Sequence, residues 1–294
     1  MEAPLTSRTP TSARAPERTL LAITDQSTGG RIRMVDARSG DTAWSWRPPA
    51  QRVAGWGRPS DVRRCRVGDS PVMAVCDSFG YVGVIGEDGD PLWSADVGRR
   101  ANPHAVDASA HGRIAVAAST GGWVRLYDAR STSADAVAEI PLADAHGVVW
   151  DPAGEMLWMV GGDRLLCVAV TGPVDRPRWR VVLEDRTPSP EAHDLQPVQG
   201  SGEFWVTTRS SVYRYSPAEG AWSSDFTGAE DLDRPDVKSI GTHPGDGTVI
   251  QTVPASGLGL GWVTDTIDVF GAGHRAVRTD AWIYKARFWA DESE

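Results

Sequence analysis

Six positions in this 294-residue chain repeat a basic or imidazole side chain at nearly even spacing. They are Arg63, His104, His146, His193, Lys238 and Lys285, and consecutive numbers differ by 41, 42, 47, 45 and 47. Each stands third in a short segment: Asp61-Val62-Arg63, Asn102-Pro103-His104, Asp144-Ala145-His146, Glu191-Ala192-His193, Asp236-Val237-Lys238 and Ile283-Tyr284-Lys285. Two residues later the side chain is apolar in five segments (Cys65, Val106, Val148, Leu195, Ile240), and Arg287 is the exception. If the segments converge, two chemistries stay open. Three neutral histidines can hold a divalent metal, since imidazole suits Zn, Mn, Fe, Cu or Ni. Alternatively, Arg63, Lys238 and Lys285 can clamp a carboxylate, phosphate or sulfate. A mixed site would put metal on the histidine side and a substrate anion on the Lys/Arg side. Like charges resist convergence, so such a set needs an anion, a metal or neutral imidazoles. The bland alternative is that the six are solvated, or paired with carboxylates such as Asp25 and Asp77.

Elements that could bring these segments together are visible as a repeat. Ser27-Thr28-Gly29-Gly30-Arg31-Ile32-Arg33-Met34-Val35-Asp36 returns as Ser119-Thr120-Gly121-Gly122-Trp123-Val124-Arg125-Leu126-Tyr127-Asp128, an offset of 119 − 27 = 92. Between them Ala74-Val75-Cys76-Asp77-Ser78 echoes Ala22-Ile23-Thr24-Asp25-Gln26. Short β-rich apolar runs alternate with Gly and Pro turn signals, and sustained helical periodicity is missing. A period of roughly 45 residues with four strands per unit is the signature of a β-propeller. The expected fold is all-β: a six-bladed β-propeller over residues 19–290. Residues 282–288 are expected to close it by pairing with the strand near Leu20–Thr24, which removes an exposed sheet edge.

In such a fold the first strand of every blade lines the centre, and the turns between second and third strands reach the same face. Those turns bring Asp25, Gln26, Asp77 and Gln251 to the expected site as substrate contacts beside Arg63, Lys238 and Lys285. His104, His146, His193 and Tyr284 are the candidate proton-transfer groups, the three histidines also being the candidate metal ligands. The loop 48–60 with Trp56 and the Gly-rich segment 254–261 are expected to overhang them. His111 and His243 fall in turns at the opposite end. Trp44, Trp93, Trp179 and Trp222 recur at one repeat position and are read as packing between blades rather than as sugar platforms.

The net charge of −9 argues against non-specific binding to nucleic acid or an anionic membrane. No apolar run is long enough for a membrane-spanning helix. P-loop and dinucleotide fingerprints are missing, so no nucleotide cofactor is expected. Cys65, Cys76 and Cys167 form neither a disulfide framework nor a CxxC pair and read as buried thiols. Residues 1–18 are rich in Pro, Ser, Thr and Arg without an apolar signal-peptide core, which predicts a disordered tail and a cytoplasmic protein.

Thr24-Asp25-Gln26, His146-Gly147-Val148-Val149-Trp150-Asp151-Pro152, His193-Asp194-Leu195-Gln196-Pro197-Val198 and Ile283-Tyr284-Lys285-Ala286-Arg287-Phe288-Trp289 resemble an uncharacterised family of bacterial, mostly actinobacterial, β-propeller proteins. The resemblance spans nearly the whole chain after the tail and implies the propeller fold without an activity. From the residues alone, the leading function is a lyase, isomerase or cyclase acting on an anionic small molecule by proton transfer. A non-catalytic ligand-binding or scaffold propeller is the alternative, and a redox propeller ranks last; the fold does not choose among them, because propellers host all three.

Overall fold

The computed structural model describes residues 18–290. The tail expected over residues 1–18 lies outside them except for Arg18, which pairs with Asp36. The strands, in chain order, are β1 (Leu20–Asp25), β2 (Arg31–Asp36), β3 (Thr42–Trp46), β4 (Pro59–Val67), β5 (Ser70–Asp77), β6 (Tyr81–Ile85), β7 (Pro91–Asp96), β8 (Pro103–Ala108), β9 (Arg113–Ala118), β10 (Trp123–Asp128), β11 (Ala138–Pro141) and β12 (Ala145–Trp150). They continue as β13 (Met156–Gly161), β14 (Arg164–Thr171), β15 (Arg178–Arg186), β16 (Ala192–Val198), β17 (Glu203–Thr208), β18 (Val212–Ser216), β19 (Ala221–Ser223), β20 (Ser239–Thr242), β21 (Val249–Thr252), β22 (Thr264–Phe270) and β23 (His274–Phe288).

The fold is all-β and made of small antiparallel sheets. β4–β7, β8–β11, β12–β15 and β16–β19 are four-stranded meanders, and the remaining strands form one sheet in the order β20-β21-β22-β23-β1-β2-β3. The long β23 serves two neighbours. Its first part pairs with β22, from Phe270↔His274 to Thr266↔Arg278, and its second part pairs with β1, from Asp25↔Ile283 to Leu21↔Phe288. The first strands of successive sheets pack on one another: β4 touches β8, β8 touches β12, β12 touches β16, β16 touches β20, β20 touches β23 and β23 touches β4.

Burial follows from this stacking. Strands with a sheet on either side read as continuous apolar runs, because neither face meets water. β9 and β12 are buried at every position, whereas the outer β3 and β15 are largely exposed. Packing is close where first strands meet: a Cβ added to Gly147 in β12 would lie 2.8 Å from Leu195 Cβ and 2.8 Å from Val160 Cγ2. Cys65, Cys76 and Cys167 are free and buried. In the loop before β4, Trp56 turns inward, edge-on to Trp46 (5.4 Å) and Tyr81 (5.5 Å), and its indole N–H donates to the Gly30 carbonyl (3.1 Å).

The four tryptophans do not share one position. Trp44 and Trp93 do, lying opposite Met34 and Val84, but Trp179 pairs with Val170 and Trp222 with Tyr215. Nor do all four pack between sheets. Trp93 is buried against Tyr127, whereas Trp44 is 42% exposed and Trp179 36%.

Candidate functional site

A β-bulge in each first strand sets the site. The pairing skips Ser60 in β4 (between Pro59 and Asp61), His104 in β8, His146 in β12 and His193 in β16. A bulged residue has no partner opposite it, so its side chain is re-aimed out of the pleat. Just before β20, the Lys238 N–H donates to the Thr252 carbonyl while Ser239 pairs with the same residue, which puts Lys238 at the equivalent place. In β23, Tyr284 and Lys285 share the step between Ile283 and Ala286, and counting from Ala286 assigns Tyr284 to the bulge. Two residues upstream of His104, His146, His193 and Lys238 the backbone turns left-handed, at Asn102 (φ 54°), Asp144 (51°), Glu191 (60°) and Asp236 (60°). Asn and Asp tolerate that region better than other side-chain-bearing residues.

The bulge level is therefore Ser60, His104, His146, His193, Lys238 and Tyr284. Its members touch in sequence. The imidazoles of His104 and His146 stack at 4.4 Å and 26°, and His146 meets His193 edge-on at 5.4 Å. Lys238 Nζ lies 3.0 Å from His193 Nε2, and Tyr284 Oη 3.2 Å from His104 Nδ1. Ser60 turns away, donating to the Pro103 carbonyl (2.6 Å).

Arg63 and Lys285 stand elsewhere than the even spacing placed them. Arg63 is three residues beyond the bulge in β4, and Lys285 is one beyond it in β23. The slip has a sequence cause: Asp61-Val62-Arg63 mimics Asp236-Val237-Lys238, but Asp61 lacks the left-handed turn. In the register set by the bulges, the residue two positions on is apolar in every strand: Val62, Val106, Val148, Leu195, Ile240 and Ala286, all fully buried.

Below the bulges lies a sealed ionic layer. Arg287 donates to Asp194 through both terminal nitrogens (2.7 and 2.8 Å) and to Asp61 (2.9 Å). Lys285 Nζ, completely buried, donates to Asp194 Oδ1 (3.2 Å) and to the His104 carbonyl (3.1 Å). Arg63 donates to the Leu195 carbonyl (3.1 Å) and lies 3.6 Å from Asp61 and 4.0 Å from Asp107. Three carboxylates thus face three cations, and the compensating charge that convergence required comes from the protein. Sequence reasoning missed Asp61, Asp107, Asp194 and Arg287; the failure of the apolar pattern at Arg287 was the available signal. Burial pushes the Asp194 carboxyl up, but Arg287 and Lys285 outweigh it and hold it well below the carboxylate range. Burial likewise opposes the Arg287 charge, and Asp194 and Asp61 raise it above the usual arginine value. Lys285 and Arg63 are ion-pairing residues here, not free substrate contacts.

The other expected contacts also hold structure. Asp25 accepts from the Ser27 and Trp282 backbone N–H groups and pairs with Arg33 (2.6 Å). Asp77 accepts from the N–H groups of Gly57, Arg58 and Phe79. Gln26 donates to Pro59 and accepts from Trp262, and Gln251 accepts from Arg234. His111 bonds the Ala153 carbonyl, and His243 and His274 face Asp246 and Asp268, all away from the bulges.

Electrostatics keep the bulge level unprotonated at its imidazoles. Burial, then His146 and Lys285, push His104 well below the usual range. Burial also lowers His146 against the pull of Asp144, and burial with Lys238 lowers His193 to about 2. Burial depresses Lys238 against Asp236, whose carboxylate is 3.7 Å away. Burial raises Tyr284, so it stays a phenol beside His104. A carbonyl and an ammonium fix the tautomers of His146 and His193. His146 donates Nδ1–H to the Asp144 carbonyl (2.8 Å), with the Asp144 carboxylate 3.3 Å away, leaving Nε2 as a base. His193 accepts from Lys238 at Nε2, so its buried Nδ1 is a donor without an acceptor.

This donor set does not fit the metal expected on the three histidines. His193 Nε2 faces an ammonium, His104 and His146 stack face to face, and among the described residues no group of three or more His, Cys, Asp or Glu is placed to hold a metal ion.

Comparison with known proteins gives a family and a fold. The model of the family of unknown function DUF6528 matches residues 5–293. No curated protein matches the chain. Among solved structures, a chain in the crystal structure of a nidogen/laminin complex is similar at TM-score 0.63 and 12% identity, covering 94% of this chain and 100% of that one. The crystal structure of a protein of unknown function from Bacteroides caccae is similar at TM-score 0.62 and 9% identity, covering 92% of this chain and 99% of that one. The fold is propeller-like, and the chain belongs to the DUF6528 family.

Proposed function

We propose that this DUF6528 member is a six-bladed β-propeller, closed through β23, whose bulge level binds an anionic small molecule at the axis and moves a proton on it. Closure is supported by the dual pairing of β23 and by the cycle of first-strand contacts ending at β4. The observation that carries the chemistry is the Asp144–His146 pair. A backbone carbonyl and a carboxylate orient one imidazole through Nδ1 and leave the other nitrogen basic.

His146 Nε2 takes the proton from a carbon next to a carboxylate or ketone. The electron pair moves onto the substrate oxygen, and an enolate forms. The Lys238 ammonium then stabilises the negative oxygen. That chemistry suits an isomerase, epimerase or lyase acting on a 2-oxo acid or a uronate. A non-catalytic ligand-binding propeller would keep the Lys238 and His193 contacts without the proton transfer.

Binding is tested by titrating histidine-labelled protein with pyruvate, 2-oxoglutarate, glucuronate and galacturonate and following the imidazole resonances. A saturable shift at His146 and His193 with at least one acid, lost in Lys238→Ala, is expected. Unmoved resonances with all four, or shifts that persist in Lys238→Ala, would overturn the reading.

A further inference from the structure

A second candidate site lies where β4 and β8 begin. The guanidinium of Arg99, in the turn before β8, stands over the Phe79 ring at 4.0 Å. That of Arg58, next to β4, stands 5.3 Å from the same ring and 5.4 Å from the ring of Trp262. Phe79 lies in the hairpin between β5 and β6, and Trp262 just before β22. All four residues stand at the strand ends that carry the bulges, since Pro59 pairs with Asp77 and Thr264 with Ile283.

The frame is fixed from beneath. Asp77, completely buried, accepts from the backbone N–H groups of Gly57, Arg58 and Phe79 and so ties the Arg58 loop to the Phe79 hairpin. Gln26 accepts the Trp262 indole N–H (2.9 Å) and donates to the Pro59 carbonyl (3.0 Å), which holds Trp262 beside Arg58.

What sets this pair of arginines apart is the missing counter-charge. Arg125, Arg214 and Arg234 also stand over rings, and each has a carboxylate partner: Glu139, Glu203 and Asp268. Among the described residues, no carboxylate forms an ion pair with Arg58 or Arg99, and neither guanidinium donates a hydrogen bond. Asp77 feels the Arg58 charge, but both its oxygens already accept from the backbone. Two cations drawn to one ring repel each other, in a chain whose net charge of −9 leaves carboxylates to spare. A ring face attracts a cation without consuming its N–H groups, so the donor forks of both arginines stay available.

We propose that Arg58 and Arg99 bind a phosphoryl group. A phosphate monoester carries about two negative charges at neutral pH, which match the two guanidiniums, and its oxygens can accept from both forks at once. A carboxylate has a single charge and would leave half of the pair uncompensated. The site is distinct from the bulge level and does not depend on proton transfer there.

The test is phosphorus NMR of inorganic phosphate and of methyl phosphate, titrated with the full chain at low salt, where exposed charges are least screened. Arg99 is exposed, so Arg99→Ala is expected to melt like the parent. The expected result is saturable line broadening of inorganic phosphate, weakened about tenfold or more in Arg99→Ala by loss of charged hydrogen bonds. Sulfate should displace the phosphate, and acetate at the same concentration should not. The broadening should persist in Lys238→Ala, which removes the cation of the bulge level. Broadening of both phosphates assigns the site to a phosphoryl group on a carrier, and broadening of inorganic phosphate alone assigns it to the free ion. No saturable broadening, broadening equal in parent and Arg99→Ala, or broadening lost in Lys238→Ala would overturn the site. Displacement by acetate as effective as by sulfate would overturn the ligand class.

Discussion

Two neighbouring levels of the same strands behave in opposite ways. At the bulges, three imidazoles, a phenol and an ammonium touch one another. One to three residues further along, Asp61, Asp107, Asp194, Arg63, Lys285 and Arg287 face one another as opposite charges. The lesson is that a basic residue in a first strand has two fates, decided by its distance from the bulge. The ionic layer ties first strands to one another, while burial, with a smaller push from Lys285, keeps the neighbouring imidazoles neutral.

The comparison breaks most easily at Asp194. In Asp194→Ala the buried Lys285 and Arg287 lose their shared counter-charge, and urea denaturation should report a loss of about 3–5 kcal/mol. A loss below about 1 kcal/mol, the worth of an exposed pair, would place these charges in water and dissolve the distinction.

Acid should act next, through the bulge level. Burial holds His104, His146 and His193 below the unfolded histidine value near 6.5. Below that pH the unfolded chain therefore binds protons that the folded chain refuses, and stability falls as pH drops. Between pH 6.5 and 5 the expected loss is up to about 2 kcal/mol per histidine, and the depressed Asp194 adds to it only nearer pH 4. A pH series of urea midpoints checks this, and His193→Gln should flatten the slope by about a third.

A smaller effect tests the packing that brings the histidines together. Gly147→Ala places a methyl against Leu195 and Val160 and should cost about 1–3 kcal/mol by overpacking. Thermal melts would show it, and an unchanged melting temperature would mean β12 and β16 can move apart. The smallest stability effect belongs to His146→Ala, about 1 kcal/mol for one hydrogen bond to a carbonyl. That variant should lose function without losing the fold.

Much of this was legible in the sequence, and the failures are specific. The Ser-Thr-Gly-Gly repeat announced an all-β fold of short strands, and His104, His146, His193 and Lys238 could be aligned because an Asn, Asp or Glu in a left-handed turn precedes each by two residues. Arg63 and Lys285 were misplaced because a β-bulge adds a residue that no composition records, and a slip by one or three positions changes the layer a side chain enters. The apolar residue two places on was the better ruler, since it faces the packed side in all six strands. Asp25, Asp77, Gln26 and Gln251 were read as lining because they sit in turns, but turns also consume carboxylates and amides in tying down their own backbone.

The central claim is that His146, oriented by Asp144, removes a carbon-bound proton from an anionic substrate. Deuterium incorporation in heavy water, followed by proton NMR on pyruvate, 2-oxoglutarate, glucuronate and galacturonate, tests it most directly. The account predicts protein-dependent loss of the proton signal next to the carboxylate or ketone in at least one of the four. It also predicts disappearance of that exchange in a His146→Ala protein that still melts cooperatively. Exchange at the parent rate in folded His146→Ala, or none in any of the four with the parent protein, would contradict it.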